Sequence, residues 1–392
     1  MDLEVKEFLE KVTAASGVSG FEGTVASLIR EAWAPLADEI RTDTMGSLIA
    51  RRAARADGGP APRPAGAGRV GVAGPAAMPG PEVTVAGEGS REARGRGPLR
   101  VMMAAHMDEI GLMVSKIEEG GFLRFTTVGG FDRRVLPAQE VLVHGREDLP
   151  GVIGVKPPHL LPREEAEKPY KMEDMYIDVG LEETRVRDLV RVGDPITVGY
   201  GCRSLQEELV AGKGMDDRAG VATLHACLQE LARLRHPHDV FLVATVQEEV
   251  GLKGAVTSAY GIAPDVGVAV DVEFAEQPGL PEDLTVELDK GPVIAVGPNI
   301  HPYVFSVLEK VAKEEGIPHQ VRVVPGRSGT DAWAIQVTRE GIPTGLIGIP
   351  LRYMHTSVEV ASVADIKRAG RLLARFAMAL DAEALAGWRW EA

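Results

Sequence analysis

Apolar residues recur at helical spacing over residues 3–15, where Leu3, Val5, Phe8, Leu9 and Val12 fall on one stripe. The segment SGVSGFEG breaks that pattern with three glycines, and helical spacing returns over residues 23–35. Residues 101–105 then form an unbroken apolar run that reads as a buried strand leading into His106. Further strands are predicted at 241–246, 266–270, 320–324 and 344–349, and further helices at 219–233, 303–315 and 363–383. Strands alternating with helices predict an α/β fold with a mixed, largely parallel sheet sandwiched by helices.

Two stretches depart from that alternation. Residues 113–205 hold short apolar runs separated by turns: GGFLRF, VGGFDRR, EVLVHG, GVIGVKPP, MYIDVG and GDPITV. That punctuation predicts a small β barrel or sandwich inserted into the α/β unit, which would then comprise residues 1–112 and 206–392. An inserted domain leaves the ends of its host close together, so a site on the host survives the interruption. Residues 53–99 are dominated by Ala, Gly, Pro and Arg and contain no lysine. They read as a flexible insertion, with an arginine-rich interaction arm as the alternative.

Of the 392 residues, 45% are hydrophobic, which is enough for a large core. The formal net charge of −14 argues against a nucleic-acid or anionic-membrane partner. The two cysteines, Cys202 and Cys227, lack CxxC spacing, so neither a disulfide framework nor a thiolate metal site is expected. The start, MDLEVKEFLEKV, has no signal-peptide pattern, and no apolar run approaches the roughly 18 residues of a membrane helix. A cytoplasmic location is the expectation.

Five metal-liking side chains punctuate the chain: His106 in AAHMDEIG, Asp216 in GKGMDDRAG, Glu249 in VATVQEEVG, Asp271 in VAVDVE and His355 in RYMHTS. Taken singly, each has a plain structural explanation. His106 could be a core histidine paired with Asp108, Asp216 and Asp217 could both cap a helix, and Glu248–Glu249 could be a solvated strand end. Asp271 could lie past the burial limit, and His355 sits in an ordinary loop. Taken together, the mixed nitrogen and oxygen donors suit two zinc-like ions with an open position for water. Such ions, about 3.5–4 Å apart, activate that water and polarise a carbonyl together. Asp108, two residues from His106, fits the carboxylate that takes the second ring N–H of a liganding imidazole. Of Glu248 and Glu249, one would bind metal and the other would hold a proton.

The wording and order of these motifs resemble the tetrahedral or glutamyl aminopeptidases, also called deblocking aminopeptidases. SGVSGFEG, AAHMDEIGLMV, GGFDRRVLPAQEV, GKGMDDRAG, VQEEVGLKGA, SGTDAWAIQ and MHTSVE carry the resemblance, which spans nearly the whole chain outside residues 53–99. It implies a dinuclear metallo-aminopeptidase loaded with two divalent ions, zinc or cobalt, acting on peptides with a free N-terminus. His106, Asp216 and Asp271 would hold one ion, and Asp216, Glu249 and His355 the second, with Asp216 bridging. Glu248 would be the general base, Asp108 would orient His106, and Gly329, Thr330 and Asp331 would border the substrate pocket. The inserted domain would serve dimerisation, and six dimers would build a twelve-subunit tetrahedron. Trp333 stands where a smaller residue is expected and bears on the shape of the pocket.

Other functions compete. A glycosidase (endoglucanase-type) would use Glu248 and Glu249 as its carboxylate pair, but such pairs stand about 5–10 Å apart across the scissile bond and leave both histidines unexplained. A metal-dependent deacylase or carboxypeptidase would use the same ligands, and differs in not requiring a free amino terminus. A peptide-binding scaffold would have lost a ligand or the base, whereas all six positions are filled.

Overall fold

Four parallel strands occupy the centre of the fold in the order Asp239–Thr245, Arg100–His106, Val266–Phe274 and Thr344–Arg352. The structure is a computed structural model that describes residues 2–55, 97–164, 167–199, 201–206 and 208–388. These strands read as continuous apolar runs because both of their faces are covered. Val101, Met103 and Ala105 join one core cluster with Val240, Leu242 and Ala244. The intervening Met102 and Ala104 join the other with Phe241 and Val243. The alternation follows from side chains pointing to opposite faces at successive positions.

Antiparallel strands extend this core into an eleven-stranded sheet. Leu48–Arg52 and Glu39–Thr42 continue it beyond Asp239–Thr245. Glu359–Ser362, Leu209–Gly212 and Arg203–Ser204 continue it beyond Thr344–Arg352. Val293–Val296 also pairs with Thr344–Arg352 and carries Gln320–Val323 on its outer side. Helices Asp2–Ala14, Gly23–Trp33, Met215–Arg233, Pro302–Glu314 and Val363–Ala379 cover one face. Lys253–Ile262 and Asp331–Gln336 cover the other. Among the described residues, no helix is long and apolar enough to cross a membrane.

The inserted β unit is a closed six-stranded barrel. Its strands run in the order Gly111–Ile117, Leu123–Val128, Met175–Asp178, Asp148–Val155, Glu140–His144 and Pro195–Val198, closing where Leu112 meets Ile196. Leu112, Val114, Leu123, Val141, Ile177 and Ile196 fill it, and the short helix Glu183–Leu189 adds Val186 and Leu189 to the same core. The chain leaves the sheet for the barrel just after His106 and returns to it at Arg203–Ser204, so the barrel stands beside the C-terminal ends of the parallel strands.

Local differences from the sequence reading have simple causes. The helix predicted over 363–383 ends at Ala379, where Leu380 turns extended, and a separate short helix Ala382–Gly387 follows with Asp381 as its cap. The strand predicted to end at 246 ends at Thr245. Lys253–Ile262 and Asp331–Gln336 were not foreseen because each is short and lies directly after a glycine-containing loop. Most of the 53–99 stretch, predicted to be a flexible insertion, falls outside the described residues.

Candidate metal centre

All five expected ligands converge at the C-terminal edge of the four parallel strands, where open α/β sheets place their ligands. His106 is the last residue of its strand, and Asp271 lies near the end of the neighbouring one. Glu248 and Glu249 follow the strand that ends at Thr245, after Gln247 adopts φ +55° and turns the chain. Asp216 lies at the start of Met215–Arg233, where Asp216 and Asp217 have non-helical dihedrals and are joined by a cis peptide. The two neighbours divide the labour: Asp217 caps the helix by accepting the Gly220 N–H at 2.9 Å, and Asp216 faces the pocket. His355 follows the strand Thr344–Arg352 and has φ +62°.

Donor atoms of His106, Asp216 and Asp271 lie within 4.8 Å of one another, as do those of Asp216, Glu249 and His355. Asp216 is shared, with Oδ1 3.1 Å from His106 Nε2 and Oδ2 3.1 Å from His355 Nε2. Each imidazole is fixed from behind. His106 Nδ1 lies 3.0 Å from the carbonyl oxygen of Asp108, and His355 Nδ1 lies 3.0 Å from that of Gly130. A carbonyl only accepts, so both Nδ1 atoms carry protons and both Nε2 atoms face Asp216.

Asp108 acts differently from the sequence expectation. Because the strand ends at His106, the backbone carbonyl of Asp108 makes the close contact, and its carboxylate stands 3.6 Å from the ring. That carboxylate instead accepts Ser19 Oγ–H at 2.7 Å and the N–H groups of Glu248 and Glu249 at 3.1 and 3.2 Å. It therefore pins the turn that presents both glutamates.

The electrostatics are those of a cation site. Burial pushes the Glu248 carboxyl up to about 10, with Asp271, Asp331 and Glu249 adding to the effect and His106 opposing it. Burial and Asp216 lift Glu249 to about 7, and burial lifts Asp271 far above the carboxylate range. Asp216 alone is pulled strongly down: burial opposes its charge, but the two imidazoles overcome that. The hydrogen bond to Asp216 raises His355 to about 9, and Asp108 and Asp216 raise His106 against the effect of burial. The arginines of the pocket wall lie elsewhere, with Arg322 paired to Glu273 and Arg327 over the Trp333 ring. Glu249 Oε1 is buried without a hydrogen bond. Carboxylates that hold protons because burial disfavours their charge and neighbouring carboxylates repel it fit divalent cations, and two imidazole nitrogens with three carboxylates form a donor set that zinc or cobalt accepts.

A cavity of about 510 Å³ opens beside these groups. Glu248 lines it, together with apolar Val293, Ala295, Val323 and Leu346 and a loop containing Gly326, Gly329 and Thr330. Of the three residues expected at its border, Gly329 and Thr330 are there. Asp331 lies behind the wall, buried, with Oδ2 accepting the Thr245 hydroxyl at 2.5 Å. Trp333 does not line the cavity; its ring lies 5.2 Å from the Arg327 guanidinium, and its backbone N–H donates to the Thr330 carbonyl at 2.9 Å.

Two further elements escaped sequence reasoning. The buried Glu359 carboxylate accepts the N–H of His355 at 2.8 Å and that of Asp216 at 3.2 Å, tying two ligand loops together. The signal was a carboxylate four residues after His355 in MHTSVE. Glu109, Lys213 and Arg218 form a buried ion triad, with Glu109 bonded at 2.8 Å to Lys213 and at 2.9 Å to Arg218. Arg218 also donates to the carbonyls of Val12 and Ala15 at 2.7 and 2.6 Å. The triad thus joins the N-terminal helix to the loops that carry His106 and Asp216.

Known proteins resemble this chain over nearly its whole length. The chain is 34% identical to the lysyl aminopeptidase of Pyrococcus furiosus over 92% of its own length and 93% of the relative's. The solved TET aminopeptidase from a marine-sediment Thaumarchaeota archaeon superposes with a TM-score of 0.83 at 31% identity, covering 98% of this chain and 99% of that one. The TET1 peptidase of Pyrococcus horikoshii, described as assembling into a tetrahedron or a large octahedral shell, matches with a TM-score of 0.76 at 28% identity over 96% and 100% of the two chains. A family model for M42 glutamyl aminopeptidase matches residues 89–372, a span that contains all five candidate ligands, and the chain belongs to that family.

Proposed function

We propose that the protein is a metal-dependent aminopeptidase that releases N-terminal residues from peptides. The observation that carries this reading is Asp216, whose two oxygens each face the Nε2 of a separate, rear-anchored histidine. His106, Asp216 and Asp271 would hold one divalent cation, and Asp216, Glu249 and His355 a second. When bound, such a pair polarises a carbonyl and lowers the proton affinity of nearby water and carboxyl groups.

Glu248 is the proton carrier. It reaches the cavity, it is nearly buried, and burial gives it a high proton affinity. It accepts the proton of the attacking water and donates it to the leaving amine. Asp108 holds the Glu248 backbone in place through the N–H bond, so the carboxyl meets the substrate in a fixed position. The apolar wall of Val293, Ala295 and Leu346 takes the side chain of the departing residue. A glycosidase reading leaves the Asp216–histidine arrangement without a task.

We also propose that copies of the chain associate through the barrel, in a dimer or a larger tetrahedral assembly. The barrel region exposes Phe122, Val152, Leu160 and Val192, which supports that reading. Light scattering tests it: a monomeric mass at micromolar concentration contradicts it. A cytoplasmic location remains part of the proposal.

The activity is tested with one peptide in two forms, with a free and an acetylated amino terminus. Release of the first residue from the free form alone is expected. Equal cleavage of both forms, or removal of the acetyl group, would point to a carboxypeptidase or deacylase.

A further inference from the structure

The inserted barrel touches the metal centre at a specific ligand. His355 and Tyr353 both adopt left-handed dihedrals, φ +62° and +59°, which a non-glycine residue keeps only when its surroundings enforce them. Two bonds hold His355 there. Its N–H donates to Glu359 Oε1 at 2.8 Å, and its ring Nδ1–H donates to the Gly130 carbonyl at 3.0 Å. Gly130 belongs to the barrel, in the VGGFDRR loop that follows the strand Leu123–Val128.

Two other barrel segments grip the same turn. Ser357 Oγ–H donates to Gln139 Oε1 at 3.0 Å. Gly199, at the end of the last barrel strand, packs so close that a Cβ there would lie 2.8 Å from Ser357 Cβ. A Cβ on Gly130 would lie 3.2 Å from His355 Nδ1, and one on Gly129 would lie 3.5 Å from Glu249 Cβ. A side chain on Gly130 would therefore crowd the His355 ring, while Gly129, at φ +78° and with its Cβ position 2.7 Å from Ile110 Cγ2, passes Glu249 at ordinary contact distance.

We infer that the barrel is a positioning device for the second cation site: the Gly130 carbonyl sets the tautomer and ring plane of His355, so the seating of the barrel sets that site's affinity and leaves the first site alone. This rests on the proposal that His355 is a ligand. Groups that hydrogen-bond a liganding histidine from behind typically change metal affinity about 10–100-fold when removed.

Zinc titrated calorimetrically into the metal-free protein tests the inference on wild type, Gly130→Ala, Gln139→Ala and His355→Ala. Wild type should show two binding events and His355→Ala one. Gly130→Ala should keep one event unchanged and weaken the other by about 10–100-fold. Gln139→Ala, which adds no volume and decides the matter if Gly130→Ala does not fold, should weaken the same event by less. Wild-type affinities in both barrel variants beside a lost event in His355→Ala would overturn the inference, and so would equal weakening of both events. Two events in His355→Ala would instead remove the ligand assignment beneath it.

Discussion

Replacing Glu109 by glutamine should destabilise the α/β unit more than most single changes in this protein. Its side chain is 3% exposed, and it faces Lys213 at 4% and Arg218 at 0%. Burial disfavours its charge, but Arg218 and Lys213 hold it below the usual carboxylate range. Glutamine keeps the shape and much of the hydrogen bonding, since Arg218 retains the Val12 and Ala15 carbonyls and Lys213 retains Ala15 at 2.9 Å. What is lost is the anion compensating two buried cations, and breaking such a pair costs about 3–5 kcal/mol. Against a total of about 5–15 kcal/mol, that is a large share. With about 2.1 cal/mol/K per residue over the roughly 300 residues of the α/β unit, the melting temperature should fall by about 5–8 °C. The assay is thermal unfolding of the metal-free protein by circular dichroism, because bound metal would add stability by mass action. Adding Lys213→Met removes one stranded cation and should recover part of the loss, the non-additivity expected of groups in contact. A Glu109→Gln protein melting within about 1 °C of wild type would refute the reasoning, because a shift that small corresponds to less than about 1 kcal/mol.

Three further outcomes are expected. Glu248→Gln should lower kcat by about 10²–10⁴-fold while elemental analysis finds its metal content unchanged; near-normal turnover would remove Glu248 from its role. His225, stacked 4.2 Å from Phe8, is held down at about 4 by burial, so the unfolded chain binds the proton first on acidification. Its contribution is complete above about 6.5 and is lost as pH falls toward 4, amounting to about 3 kcal/mol. His225→Leu should therefore show a shallower loss of stability than wild type across that window in urea titrations, and parallel curves would contradict this. Metal binding at pH 7 should release protons, because Asp216 raises His355 to about 9 and burial lifts Glu249 to about 7 in the metal-free pocket. Binding enthalpies should then change with the ionisation enthalpy of the buffer, and apparent affinity should rise with pH.

The strands nearest the site were legible because parallel strands buried on both faces leave long apolar runs, as in residues 101–105 and 266–270. The candidate ligands His106, Glu249 and Asp271 were legible for the same reason, since each lies at or near the end of such a run, where a polar residue stands out; Asp216 instead opens a helix after a glycine-rich turn. Short antiparallel strands such as Glu39–Thr42 carry mixed polarity and leave no such mark. The local geometry was less accessible. Asp108 looked like the carboxylate behind His106, yet the strand stops at His106, two residues short of Asp108, and the backbone takes the role. Gly130 and the Glu109 triad act across long sequence separations, for instance between Glu109 and Arg218 or Gly130 and His355. No local pattern encodes such contacts, because they join segments that only the folded chain brings together.

The central claim is tested most directly by adding zinc stepwise to the metal-free protein and measuring release of the first residue from a short peptide. The account predicts no release without metal and a rate that stops rising at two equivalents per chain. Full release in the presence of excess chelator, or a plateau at one equivalent, would contradict it.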